Sequence, residues 1–321
     1  NLRLLLAIAV ALGLCVHAMD VKLAFLHVWL VEQIYVWQPE GFVSAEHPNK
    51  VCLLLKSLYG LKQAPHVWNQ EIDSHLQCHG YVPTDADLCV YVCCVGGAVA
   101  FISLYVDDCM IIASDSLLQA TKDVLMAKFD MTDLGEASSV LGIEVIHDHK
   151  HGSISLCQVG HIDAILTRYG LTDCKPQYTP MTAGLSLVKL EATSREHLQL
   201  PYCQAVGSLM YLSQATRPDI SFAVAYLSKF VCGYDDSHWI AVKHVIRYLK
   251  ATRHLAIIYQ RSAVRDLRLL SPTAYCDSDW GGNLIDHCSV TSFVFFLCGG
   301  PFTWSSRSQS SVTLSSCEAE Y

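Results

Sequence analysis

The chain has 321 residues, 52% of them apolar and 16% charged, with 30 acidic against 22 basic side chains for a net charge of −8, and it carries 15 Cys and 15 His. At roughly 100 to 200 residues per domain, this length predicts about two domains, each with a full hydrophobic core. The apolar fraction excludes a disordered chain, the low charge argues against a coiled coil, ten prolines with eighteen glycines exclude collagen, and the net acidity argues against a simple basic nucleic-acid coat.

In chain order, the opening run NLRLLLAIAVALGLCV imitates a secretory leader, with one arginine, an apolar stretch and small residues. It lacks an initiator methionine, leads straight into MDVKLAF and is too short to span a bilayer, so a buried helix is expected. No later stretch approaches membrane-span length, and a soluble chain is expected. In KSLYGLKQAPHVWNQEIDSHLQCHGY, Pro65 opens a predicted helix ending near Gly80, with Val67, Trp68, Ile72 and Leu76 at helical spacing. LCVYVCCVGGAVAFISLYVDDCMIIAS predicts three strands, turning at Gly96-Gly97 and at Asp107-Asp108. A helix is predicted from about Leu117 to Phe129, then strands in VLGIEVI and SISLCQV around the turn HDHKHG. Residues 179–200 read as a connector.

Helices resume in AVGSLMYLSQATRPDISFAVAYLSKF and HWIAVKHVIRYLKAT. In the latter, Trp239, Val242, Ile246 and Leu249 form one stripe, and Lys243, Arg247 and Lys250 take another face. Beyond Leu267, the segments AYCDSDW, SVTSFVFFLCGG and PFTWSS predict three strands, and SSCEAEY the start of a helix.

Cysteine spacing supports neither disulfides nor zinc. No C-x-x-C occurs, the nearest grouping being Cys89, Cys93 and Cys94 within a strand-like segment, and the total is odd. His75 and His79, with Cys78 between them, are four apart and could offer two imidazoles to zinc from a helix, but no further thiol lies nearby. His147, His149 and His151 read as a solvated hairpin tip.

Asp107 and Asp108 are adjacent acids between apolar runs, so each bears desolvation and like-charge repulsion unless a cation neutralises them. Mg²⁺ suits such a pair, and a solvated Asp-Asp turn is the alternative. Asp20, in MDVKLAF with Phe25 five residues later, adds a third acid at the end of an apolar segment. Acids brought from separate strands are what a two-metal phosphoryl-transfer site requires.

The blocks MDVKLAF, IYVWQPEGF, KSLYGLKQAPHVW, LYVDD, DMTDLGEASSVLGIEV, AVGSLMYLSQATRPDI, HWIAVKHVIRYLKAT, YCDSDWGG and LSSCEAEY run over essentially the whole chain. Their order resembles that of copia-type LTR retrotransposon Pol polyproteins. The resemblance implies an α+β fold with three parts. Residues 1–180 would form a right-hand reverse transcriptase palm lacking its fingers segment, 181–266 thumb or connection helices, and 267–321 a truncated RNase H-like α/β domain. It implies that Asp20, Asp107 and Asp108 bind Mg²⁺ or Mn²⁺, that Phe25 excludes a ribose 2′-hydroxyl, and that Gln63 contacts the incoming nucleotide. Tyr105 and Val106 would shape the strand beneath the primer end. In the last segment, Asp277 and Glu320 resemble metal-binding acids of RNase H, with Glu318 as the alternative to Glu320 and Asp279 a solvated neighbour. Further RNase H acids would lie beyond residue 321, so this part is not expected to cleave RNA by itself.

The implied partners are an RNA template, a DNA primer, RNA–DNA hybrid, dNTPs and other parts of the polyprotein, without a membrane. The implied location is intracellular, in a cytoplasmic particle or the nucleus. His66 stands where the family has a basic residue, Cys203 where it favours arginine, and His287 and Cys288 in a region where it does so too, the pattern expected of a decayed copy. Three readings result: an RNA-directed DNA polymerase fragment, an inactive remnant serving as a structural or interaction module, and, least supported, a secreted Cys/His-rich metal binder.

Overall fold

A computed structural model describes residues 1–188, 190, 200–261, 270–282 and 287–320. The chain opens with helix α1 (Leu2–Leu12), which buries Leu5, Leu6, Ala7, Ala9, Val10 and Ala11, as expected for an apolar run inside a folded protein. Two compact units follow from the packing. One comprises Asn1 and Leu14–Ala137, the other Leu2–Gly13 and the chain from Ser138 onward.

The first unit contains β1 (Cys15–Val21), β2 (Trp29–Trp37), β3 (Val51–Lys56), α2 (Ala64–Cys78), β4 (Val82–Thr84), β5 (Asp87–Val95), β6 (Ala98–Tyr105), β7 (Asp108–Ala113), α3 (Asp115–Met126) and β8 (Met131–Glu136). Six strands form one antiparallel sheet in the order β4-β5-β6-β7-β1-β8. Alternate residues Met19 and Val21, Ala100, Ile102 and Leu104, and Cys109 and Ile111 project from three neighbouring strands into one core. Helices α2, through Trp68, Ile72 and Leu76, and α3, through Leu125, complete that core. The result is a helix layer on a sheet, the usual way for each to bury its apolar face. The strands β2 and β3 pair separately and leave Val31, Tyr35, Trp37, Val51 and Leu55 exposed.

Helix α2 starts where expected, with Pro65 in its first turn, where a missing N–H costs no hydrogen bond. Helix α3 starts two residues before the predicted Leu117 and ends before Phe129, which is buried in the core. Its flanking Ser114 does not cap it; the Ser114 hydroxyl instead exchanges hydrogen bonds with Val99 on β6.

The second unit adds β9 (Ser139–Val140), β10 (Ile143–Asp148), β11 (Ser153–Cys157), α4 (Val159–Arg168), α5 (Tyr202–Ala215), α6 (Ser221–Ser228), α7 (Asp236–Ala251), β12 (Ile257–Gln260), β13 (Thr273–Ser278), β14 (Val290–Leu297), β15 (Gly300–Ser308) and α8 (Ser316–Glu320). Its sheets run β12-β11-β10-β9 and β13-β14-β15. Helices α4 to α7 share a core that includes Ile162, Leu166, Leu209, Leu227, Val242, Ile246 and Leu249. Residues 138–180, which the resemblance groups with the preceding chain, therefore pack with the later helices. The run from Ala205 to Phe230 is broken at Arg217, which precedes Pro218 and has φ −122° and ψ 72°. A residue before proline is driven out of the helical region. Helix α1 is tied to this unit by Arg3. Its guanidinium donates to Phe302 O at 2.9 Å and Ala215 O at 2.7 Å and lies 3.9 Å over the Trp304 ring.

Of the connector predicted over 179–200, residues 189 and 191–199 lie outside the described residues, as does the predicted boundary between 266 and 267. No helix of the described residues is long and apolar enough to cross a membrane.

Candidate active site

The three acids are brought to one end of the six-stranded sheet by register. On β1, Met19 and Val21 face the core, so Asp20 between them faces the other way. On β7, Cys109 faces the same core and Asp108 precedes it. Asp20 and Asp108 are direct partners across β1 and β7, which places their Cβ atoms about 4.5–5.5 Å apart. Tyr105 pairs with Asp108 to close a hairpin whose two-residue loop is Val106-Asp107. The Asp107 carbonyl accepts from Val21 N–H at 2.9 Å, locking the loop to the strand that carries Asp20.

Burial first, and then the charges of Asp107 and Asp20, push the Asp108 carboxyl above the usual carboxylate range. Among the described residues no Lys or Arg forms an ion pair with these acids; Lys22, the nearest cation in sequence to Asp20, pairs with Asp130 at 2.9 Å. Among the described residues, no group of three or more His, Cys, Asp or Glu side chains is placed so that it could hold a metal ion. The donor type is the one a hard divalent cation prefers, three carboxylates near one sheet end with no Lys or Arg ion pair among the described residues.

Phe25 lies in a 3-10 turn at Ala24–His27 that follows β1, and it is 6% exposed. Its ring centroid is 4.5 Å from that of Tyr59. The Tyr59 hydroxyl in turn donates to Asp107 Oδ2 at 3.5 Å, and burial together with the Asp107 charge pushes the pKa of this phenol above its ordinary value. Tyr59 thus joins the aromatic to the acids, a link that sequence reasoning missed. The only available signal was its place in the block LYGLKQAP. Trp68, predicted as core, is also connected to the site: its indole Nε1–H donates to Val106 O at 2.8 Å. Gln63 stands at the start of α2 without capping it, and Tyr105 is 62% exposed; neither side chain hydrogen-bonds to the three acids.

In the second unit, Asp277 lies on β13 and the neighbouring Ser278 N–H donates to Glu320 Oε1 at 3.4 Å. Glu318 is otherwise engaged, since its Oε2 accepts from Leu314 N–H at 2.7 Å. Of the two glutamates, Glu320 is therefore the one brought to the strand of Asp277. Asp279 has a structural role: its amide donates to Val290 O at 3.2 Å, and its carboxylate accepts from Val290 N–H.

The alternative zinc ligands are used elsewhere. His75 Nε2 bonds Val124 O at 2.7 Å, and His79 Nδ1 bonds His75 O at 2.8 Å. His151 pairs with Asp148 at 2.6 Å at the exposed tip of the β10–β11 hairpin. No disulfide is present among the described residues.

The family described as reverse transcriptase (RNA-dependent DNA polymerase) matches residues 1–183. The whole chain is 39% identical to the retrovirus-related Pol polyprotein from transposon TNT 1-94 of Nicotiana tabacum and 37% identical to that from transposon RE1 of Arabidopsis thaliana. It covers 24% and 21% of these two relatives, so it spans less than a quarter of their length. A transposon Ty5-1 protein of Saccharomyces cerevisiae is 33% identical over 94% of this chain and 97% of its own length. With more than half the chain matched and whole-chain identity to several transposon polyproteins, the protein belongs to the reverse transcriptase family of copia-type retrotransposon Pol polyproteins.

Proposed function

We propose that the first unit carries the palm site of an RNA-directed DNA polymerase, working by two-metal nucleotidyl transfer on an RNA template, a DNA primer and dNTPs. The observation that carries this reading is the cross-strand pairing of Asp20 with Asp108 and the lock between Asp107 and Val21. Asp20, Asp107 and Asp108 would hold Mg²⁺ or Mn²⁺. The bound ions would supply charge neutralisation at the attacking hydroxyl and the leaving oxygen. Phe25, braced by Tyr59, would close the space where a 2′-hydroxyl would project, a steric rejection. Gln63 would contact the nucleotide, and Tyr105 and Val106 would support the primer end.

In the second unit, helices α5 to α7 would serve as thumb or connection. The sheet β13-β14-β15 with α8 would form the start of an RNase H-like domain, whose metal-binding acids are Asp277 and Glu320. The remainder of the polyprotein would be the natural partner. A second reading, a folded remnant without activity, is favoured by exposed His66, where the family resemblance implies a basic residue, and exposed Cys203, where it implies arginine.

The test is primer extension on poly(rA) with Mg²⁺ or Mn²⁺, with Asp107→Asn as the control. Extension by the parent and none by the variant supports the polymerase reading. Equal silence in both supports the remnant.

A further inference from the structure

Val106 is the first central residue of the loop that carries the acids, and its φ is +59°. Hairpin loops with positive φ at this position favour glycine. A β-branched residue there is strained, and such backbone persists only where its surroundings over-determine it. The loop has two backbone anchors. Val21 N–H holds the Asp107 carbonyl at 2.9 Å, and the Trp68 indole holds the Val106 carbonyl at 2.8 Å. Trp68 is itself fixed. It is 3% exposed and its ring is 5.1 Å from Phe129 in an edge-to-face contact.

We infer that Trp68 is a positioning residue of the acid-bearing loop: its indole N–H, acting through the Val106 carbonyl, keeps the loop in the strained conformation that presents Asp107 and Asp108 beside Asp20. Its role as a core side chain and its role as a donor are separable, because only the second depends on the strain at Val106. The consequence for catalysis rests on the polymerase reading above; the consequence for the loop does not.

The test replaces the donor and relieves the strain independently. Incorporating benzothienylalanine at position 68, with sulfur in place of N–H, preserves shape; Trp68→Phe is the encoded counterpart. Loss of the donor should speed backbone amide exchange over residues 105–109 by about tenfold, the value of one hydrogen bond. It should lower kcat for primer extension by about tenfold or more, with KM for dNTP changed less, since misplaced acids impair chemistry before binding. In the Val106→Gly background, which adopts positive φ without strain, the same replacement at position 68 should change kcat by less than about threefold. Unchanged exchange in the benzothienylalanine protein, or an equal kcat loss in both backgrounds, overturns the inference. If the parent extends no primer, the polymerase reading fails, and the exchange measurement alone decides the role of Trp68.

Discussion

Asp20 and Asp108 are direct partners across β1 and β7, two carboxylates held opposite one another without a compensating Lys or Arg pair among the described residues. Like charges directly opposite on a sheet are destabilising by a few tenths to about 1 kcal/mol. Asp108→Asn should therefore raise stability without divalent metal by about 0.5 kcal/mol in urea denaturation. It should also abolish primer extension, a trade of stability for function. Because the acids act as a unit, combining it with Asp20→Asn should cost little more activity than either change alone. A destabilised Asp108→Asn protein would contradict the charge argument.

Phe25 and Tyr59 form the second testable pair. Shortening the aromatic in Phe25→Val should open space beneath the sugar and raise rNTP use relative to dNTP by about tenfold or more in kcat/KM. Tyr59→Ala should have a smaller effect in the same direction, because it removes the ring that braces Phe25 while leaving Phe25 itself. Tyr59→Phe keeps the brace and loses only the hydrogen bond to Asp107, so its discrimination should match the parent. Equal discrimination in the parent and Phe25→Val would remove Phe25 from the nucleotide site.

His66 lies exposed in the first turn of α2, three residues after Gln63. If arginine there contacts a backbone phosphate, His66→Arg should steepen the dependence of log affinity on log salt by about 0.7–0.9, the value of one neutralised phosphate. Fluorescence anisotropy with a labelled primer–template across a salt series measures this slope. An unchanged slope would show that the position does not face nucleic acid.

The acid-bearing hairpin was legible because its strands are apolar runs interrupted by turn residues, and β5, β6 and β7 follow that pattern. Helix α2 was equally legible from Pro65 and the stripe Trp68, Ile72 and Leu76. Helix α4 escaped notice although Ile162, Ile165 and Leu166 have helical spacing; ten residues next to a strand give a weak periodic signal. The β2–β3 hairpin was missed for the opposite reason. Its outward residues Val31, Tyr35 and Trp37 are apolar, so the usual alternation is blurred. The contacts of Tyr59 with Asp107 and of Trp68 with Val106 could not be read at all. They join segments far apart in the chain, and their partners follow only from the packing of α2 and of the turn before it against the sheet.

Helix α7 provides a pH-dependent prediction that is independent of the active site. Asp235 caps it, accepting from Ser237 N–H at 2.8 Å and His238 N–H at 3.3 Å, and from the His238 ring at 2.8 Å. Hydrogen bonds from Ser237 and His238 hold its carboxyl down at about 2, below the ordinary 3.8. A carboxylate whose folded value is depressed contributes stability that is complete above its unfolded value and is lost as pH falls through the folded one. Asp235→Ala should therefore cost about 1 kcal/mol at neutral pH, the usual value of such a cap. The difference from the parent should shrink as pH falls from about 4 to about 2. Asp235→Asn caps nearly as well but does not titrate, so it should stay near the parent at neutral pH and lose less stability over the same acid interval. Urea denaturation of the three proteins at matched pH measures both effects. A cost for Asp235→Ala that is constant from neutral pH to about 2 would show that the ionised cap is not what stabilises α7.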